Sequence, residues 1–265
     1  MTNRNAMYNI FDDPIKGRTE KPREKGITFI SDFGFGLNRV EDFIGIAGDY
    51  VDRVKIAFGS VATYKEDYLR KKIELLKAAD IDINPGGTCG EIAMFYDAFD
   101  SYLDRIKALG FNTVEVSDGT IQITDDQREL MIKKSIDSGL KVVSEIGKKD
   151  ERDNLLIDET LRQIERDIKF GVKKVIIEAR GTAKGIGLFD SNGKVKESEV
   201  DMIAKYVDID NIIWEAPQKP GQVYFVNKFG PNVNLGNVRP DEIIAVESMR
   251  RGLRGDTWRP LIIKD

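Results

Sequence analysis

The stretch "KVVSEIG", residues 141–147, decides the reading of the fold. A short apolar, β-branched run ends on a carboxylate, Glu145, and then a glycine. A run of that length bounded in that way is a strand buried on both faces. Seven other runs follow a similar grammar: "ITFISD" (27–32), "YVDRVKIAF" (50–58), "IDINPGG" (81–87), "TVEVSDG" (113–119), "KKVIIEAR" (173–180), "NIIWEAP" (211–217) and "NVNLGNV" (232–238). Segments with helical apolar spacing lie between them. In "EDYLRKKIELLKAA", Tyr68, Ile73, Leu75 and Leu76 form a stripe, and in "FDSYLDRIKALG", Leu103, Ile106 and Leu109 mark one face with Gly110 as the C-cap. Thr124 followed by Gln127 predicts a capping box at the start of the next helix.

Strands alternating with helices imply βαβ units and a parallel sheet. Eight such units in a chain of 265 residues predict a single (β/α)8 TIM barrel. The expected boundaries are an N-terminal arm over 1–25, the barrel over 26–257 and a C-terminal tail over 258–265. An open doubly wound sheet is the alternative, but "SDFGFGLN" after the first strand lacks the GxGxxG spacing of a nucleotide-binding turn.

Composition narrows the chemistry. The chain has no histidine and one cysteine, Cys89. Histidine-dependent nucleophile systems and histidine zinc sites are therefore excluded, and any general acid or base must be Lys, Glu, Asp, Tyr or that cysteine. A metal would rest on carboxylates, carbonyls and water, which favours a hard cation such as Mg²⁺. A net charge of −4, from 41 basic and 45 acidic residues, argues against nucleic acid as a partner. No run approaches the length of a membrane span, the N-terminus lacks a signal-like apolar stretch, and a lone cysteine suits a reducing compartment, so a cytoplasmic protein is expected.

Barrel sites form at the C-terminal ends of the strands, and the unusual polar residues gather there. Strand by strand these are Asp32; Lys55 and Ser60; Gly86 and Gly87; Glu115, Ser117 and Asp118; Glu145, Lys148 and Lys149; Glu178 and Arg180; Glu215 and Gln218; Asn234 and Asn237. Period-2 alternation puts Glu115 with Ser117, and Glu178 with Arg180, on shared faces. A carboxylate inside an apolar strand is costly unless paired or bound to metal. Buried ion pairs and a Mg²⁺ site facing an anionic substrate both satisfy that requirement.

The motifs "NPGGT", "VEVSDGTI", "SEIGKKD", "VIIEARG", "GIGLFD", "WEAPQK", "NVNLGNV" and "RRGLRGDT", in order from about Gly26 to Thr257, together resemble the phosphosulfolactate synthase family. The resemblance implies a Mg²⁺-dependent lyase in a cytoplasmic barrel, often a homo-oligomer, that adds sulfite to phosphoenolpyruvate to give (2R)-phospho-3-sulfolactate. In methane-forming archaea that step begins coenzyme M biosynthesis; bacterial relatives make sulfolactate, and a plant branch is linked to heat stress. By match to the family motif, Lys149 is the acid at C2, with Lys148 and Asp32 beside it in the catalytic set. Lys55, Lys148 and Arg180 would hold phosphate, carboxylate or sulfite, with Ser60, Gly86, Gly87, Ser117, Gln218 and Asn234 completing the substrate site. Glu115, Asp118, Glu145 and Glu178 are the metal ligands or their supports.

The chain departs from the family pattern at three places on the rim. Asp32-Phe33-Gly34 stands where Asp-Lys-Gly is usual, Gly59-Ser60-Val61 where Gly-Thr-Ser is usual, and Cys89-Gly90 where two bulky apolar residues precede Glu91. These changes keep two alternatives open: another nucleophile adding to phosphoenolpyruvate or a related phospho-acid, and a non-catalytic, stress-linked relative.

Overall fold

The computed structural model describes residues 6–7, 9–57, 59–147, 156–179 and 187–262, the side chains of 261–262 excepted. Lys148, Lys149 and Arg180 lie outside the described residues.

Eight parallel strands form the sheet: β1 Thr28–Asp32, β2 Arg53–Ile56, β3 Asp82–Pro85, β4 Thr113–Val116, β5 Lys141–Ile146, β6 Lys174–Ile177, β7 Ile212–Glu215 and β8 Leu235–Val238. The ladder runs β3-β2-β1-β8-β7-β6-β5-β4. β3 packs directly against β4, which brings the two ends of the sheet together. Side chains suture this seam where ladder hydrogen bonds stop. Asn112 accepts from the Ile83 N–H at 2.9 Å and donates to Asp82 at 2.7 Å, while Glu115 accepts from the Gly87 N–H at 2.9 Å. The eight runs read from sequence are the eight strands, and the architecture is the expected (β/α)8 barrel.

The helices are α1 Leu37–Ala47, α2 Glu66–Ala78, α3 Gly87–Phe95, α4 Phe99–Leu109, α5 Asp125–Asp137, α6 Ile157–Lys169, α7 Glu197–Tyr206, α8 Lys219–Phe229, α9 Ile243–Arg250 and α10 Gly255–Ile262. The capping box of Thr124 and Gln127 opens α5, and Gly110 ends α4 as expected. One stripe differs from the prediction. The buried face of α2 is Leu69, Lys72, Ile73 and Leu76, with Tyr68 more than a third exposed. A fully buried lysine takes part in that face because a carboxylate waits for it beneath the helix, as described below.

Two apolar layers hold the barrel. The larger lies between strands and helices and includes Val54, Ile83, Val114, Val175 and Trp214, the last stacked on Phe225 and Phe229 at 5.1 and 5.5 Å. The smaller, Ile27, Phe29, Val143, Ile176 and Ile213, fills the barrel interior. Each such side chain fully buried contributes about 1.5–3 kcal/mol. Phe29 separates two interior cations, with Arg53 and Lys55 each 5.6 Å from its ring.

The N-terminal arm is tied to α9 and to the strand starts. Ile15 N–H donates to the Arg251 carbonyl at 3.1 Å, Arg23 pairs with Asp52 at 3.1 Å, and Arg18 pairs with Glu247 at 3.1 Å. Burial alone would raise the Glu247 carboxyl, but Arg18, Arg251 and Arg250 together outweigh it and hold the group below its ordinary value of 4.5. A carboxylate depressed in the folded state contributes stability that is complete above the unfolded value and is lost as pH falls through the folded value. The E247Q protein is therefore expected to be less stable than the parent at pH 7 in urea unfolding, with the difference shrinking as pH drops below 4.5. A difference that stayed constant into acid would rule out the ionised pair as its source.

Candidate active site

Alternation along the strands sends Ser31, Lys55, Glu115, Glu145, Glu178 and Glu215 into the upper layer of the barrel interior, immediately above the apolar plug. All are buried. Lys55 Nζ lies 3.3 Å from Glu115, 3.1 Å from Glu145 and 3.6 Å from Glu215. Burial alone would lower the Lys55 ammonium, but the charges of Glu115, Glu145, Glu215 and Glu178 hold it well above the ordinary lysine range. The glutamates thus favour its charged form.

Each carboxylate is also oriented by polar groups. Glu115 accepts from Gly87 N–H and from the Asn84 amide at 3.3 Å. Glu215 accepts on one oxygen from the Ala179 N–H at 2.9 Å and from the Asn237 amide at 3.3 Å. Burial pushes the Glu215 carboxyl up, Lys55 opposes this, and Glu145 adds to the rise. Glu178 follows β6 directly, and its N–H continues the ladder to the Ile146 carbonyl at 3.0 Å. Among the described residues no three carboxylate or thiol side chains converge as a ready metal cluster; the Lys55 ammonium stands between the glutamates instead.

The other residues singled out from sequence fall in different places. Asp32 has the opposite parity to Ser31 and faces the helices. One of its oxygens accepts from Gly34 and Phe35 N–H groups, both at 2.7 Å, and the other takes Lys72 Nζ at 2.6 Å. Lys72 also donates to the Tyr64 hydroxyl at 3.1 Å. This buried pair fixes the turn that displays Phe33, 47% exposed, at the rim. Asn234 precedes β8 and sits at the opposite end of the barrel, where its amide accepts from Ile27 N–H and donates to the Asp210 and Ile212 carbonyls. The physical reason is that β8 begins one residue later, at Leu235.

Ser60 donates to the Ala57 carbonyl at 2.7 Å within a short 3-10 turn, and Val61 is packed against the core. Gly86 N–H continues the β2 edge to the Ile56 carbonyl at 3.0 Å, and Gly87 opens α3. Gln218 is exposed at the start of α8, just past β7. Asp118 accepts from Arg128 at 3.2 Å, and Arg128 in turn pairs with Asp167 at 2.7 Å and donates to the Glu145 carbonyl at 3.1 Å.

Three contributors were given no role from sequence, although Glu215 and Asn237 were already placed at the strand ends. Glu91, buried in α3, receives the Ser117 hydroxyl at 2.5 Å and the N–H groups of Thr120 and Ile121 at 2.7 and 3.0 Å, so it clamps the loop after β4. Glu215 completes the carboxylate layer, and its place at the end of an apolar run was the signal. Asn237 is the third. At Gly90, an added methyl would meet Phe99 and Tyr102 at 3.6 Å, so aromatic rings from α4 fill the space that a bulkier residue would take.

Removing a buried charge strands its partners, which costs roughly 3–5 kcal/mol. K55M is therefore expected to lose about that much in urea unfolding at neutral pH, and adding E145Q to K55M is expected to recover part of it. Full stability of K55M alone would show that the glutamates do not depend on this ammonium.

Comparison with known proteins places the chain in a family. The family model described as (2R)-phospho-3-sulfolactate synthase matches residues 16–256. A phosphosulfolactate synthase of Methanocaldococcus jannaschii is 45% identical over 237 residues, covering 89% of this chain and 94% of the relative. That of Methanothermobacter thermautotrophicus is 42% identical, covering 94% of this chain and 97% of the relative. Among solved structures, 3-hexulose-6-phosphate synthase from Salmonella typhimurium aligns with a TM-score of 0.55 at 13% identity, over 84% of this chain and 99% of that one, a likeness of fold alone. With its motifs, its barrel and near-full-length relatives in agreement, the chain belongs to the (2R)-phospho-3-sulfolactate synthase family.

Proposed function

We propose that this enzyme adds sulfite to C3 of phosphoenolpyruvate in the cytoplasm and yields (2R)-phospho-3-sulfolactate with the help of Mg²⁺. The observation that carries the reading is the layer of four buried glutamates around one buried lysine, at the barrel rim of a chain without histidine. Both substrates are anions, and the described layer alone would repel them. Cations must therefore offset it, and the motif residues Lys148, Lys149 and Arg180 follow the strands that carry Glu145 and Glu178.

The donor set suits a hard cation, because it is all oxygen. Mg²⁺ is usually held by one or two carboxylates with water and substrate oxygens, so it needs no cluster of three. Glu145 and Glu178 would hold it, beside the loops that carry the anion-binding residues. Glu115 is a weaker candidate because a metal there would compete with the Gly87 N–H, and Asp118 because it would compete with Arg128. When bound, Mg²⁺ supplies Lewis-acid stabilisation of the charge that develops on the substrate carboxylate.

In the reaction a sulfur–C3 bond forms, and the C2–C3 π pair moves to C2 and its carboxylate. C2 then takes a proton from Lys149. Lys148 and Arg180 bind the anionic groups of the substrates. Lys55 serves the carboxylate layer, holding Glu115, Glu145 and Glu215 in place rather than touching phosphate or sulfite. Asp32 and Lys72 hold the β1 turn in shape.

Purified enzyme given phosphoenolpyruvate, sulfite and Mg²⁺ is expected to produce phosphosulfolactate by mass spectrometry, and chelation is expected to stop it. K149A is expected to lose at least about 100-fold in kcat, the scale of a missing general acid. No product under these conditions sinks the reading. The exposed Phe33, where a cation is usual, makes thiols and other anions the next nucleophiles to try in the same assay.

A further inference from the structure

β8 does not run evenly beside β1. Thr28 is opposite Leu235 and Ile30 is opposite Val238, so two steps along β1 match three along β8. The extra residue is a β-bulge, and within it Asn237 has a φ of 52°. Bulges re-aim side chains and gather beside active sites. A left-handed backbone is free for glycine and carries strain for any residue with a side chain, asparagine less than most. Something must compensate for keeping a side chain at this point.

The contacts supply it. Gly236 already takes the inward position of β8, where an added methyl would meet Ile213 at 2.8 Å and Glu215 at 3.5 Å. Regular alternation would send Asn237 outward to the helices. The bulge instead brings its amide back to the interior. Ser31 donates its hydroxyl to Asn237 Oδ1 at 2.7 Å, which leaves Nδ2 to donate to Glu215 Oε2 at 3.3 Å. That same oxygen accepts the Ala179 N–H, so Oε1 is the one that faces Lys55. The amide is uncharged, so it sets the direction of the carboxylate without changing the charge of the layer.

We infer that Asn237 is a positioning residue for the reaction: the bulge in β8 and the hydroxyl of Ser31 aim its amide so that it fixes the orientation of Glu215. The inference rests on the reading of the carboxylate layer as the reaction site. It separates side chain from backbone in a way that substitution can test, because glycine accepts φ 52° without strain.

N237G is expected to keep a Tm close to the parent while kcat falls by roughly 10- to 100-fold, the range for losing a group that orients a site ligand, with a smaller change in KM. S31A is expected to show the same signature at smaller size. N237D, equal in shape but turning an acceptor toward Glu215, is expected to lose at least as much kcat as N237G. A crystal structure of N237G is expected to show the Glu215 carboxylate rotated from its place opposite Lys55. Parental kcat in N237G or N237D overturns the inference, as does a fall in Tm with unchanged kcat, which would make Asn237 a part of the fold only. If the parent enzyme itself makes no phosphosulfolactate, the functional reading fails separately, and the Glu215 orientation in the N237G crystal then decides this inference alone.

Discussion

One ammonium group, that of Lys55, organises the upper half of this barrel. Four glutamates from four strands reach the same buried layer, and three of them lie within 3.6 Å of its nitrogen. Ionised carboxylates so close in a medium that screens poorly repel strongly, and only opposite charge and well-placed donors make the arrangement tolerable. Lys55 supplies the charge. The N–H groups of Gly87 and Ala179 and the amides of Asn84 and Asn237 supply the donors. Among the described residues the layer thus carries more carboxylates than cations.

The same contacts close the fold. Glu115 joins β4 to the start of α3 at the seam where the ladder of hydrogen bonds stops, so one carboxylate of the layer also serves closure. A second layer of clamps acts from outside. Lys72 pins the turn after β1 through Asp32, Glu91 holds the loop after β4, and Arg128 ties Asp118, Asp167 and the β5 backbone together. These pairs are buried and multiply bonded, which is what makes them costly to break. The rim loops are thereby held by groups that need not touch substrate.

Much of this was legible in the sequence, because period-2 alternation is local. Glu115 with Ser117 on one face follows from counting, and Glu145 was found by its place at the end of an apolar run. Parity also separates Asp32 from Ser31, and the rim position of Asp32 concealed that it faces the helices. What could not be read depends on long-range register. β8 begins after Asn234, which moved that residue to the far end of the barrel. The bulge that turns Asn237 inward appears only when β8 is laid beside β1. Lys72 reads as surface charge on an amphipathic helix until Asp32, forty residues earlier in sequence, is found beneath it.

Space matters to the layer as much as charge. An interior with four glutamate stems at one height has no room for a full ring of side chains. Gly147 sits so close to Glu178 that an added methyl would lie 2.7 Å from its Cβ, and its φ of 129° already disfavours any other residue. At Gly236 an added methyl would lie 2.8 Å from Ile213, with Glu215 at an ordinary 3.5 Å. Large inward side chains therefore alternate with missing ones around the barrel, in the way layered barrel interiors interdigitate. The glycine of "SEIGKKD" is thus tied by packing to Glu178, and that of "NVNLGNV" to Ile213, two residues before Glu215. A side chain rebuilt at Gly147 should displace Glu178, and one rebuilt at Gly236 should press first on Ile213, because those are the nearest atoms.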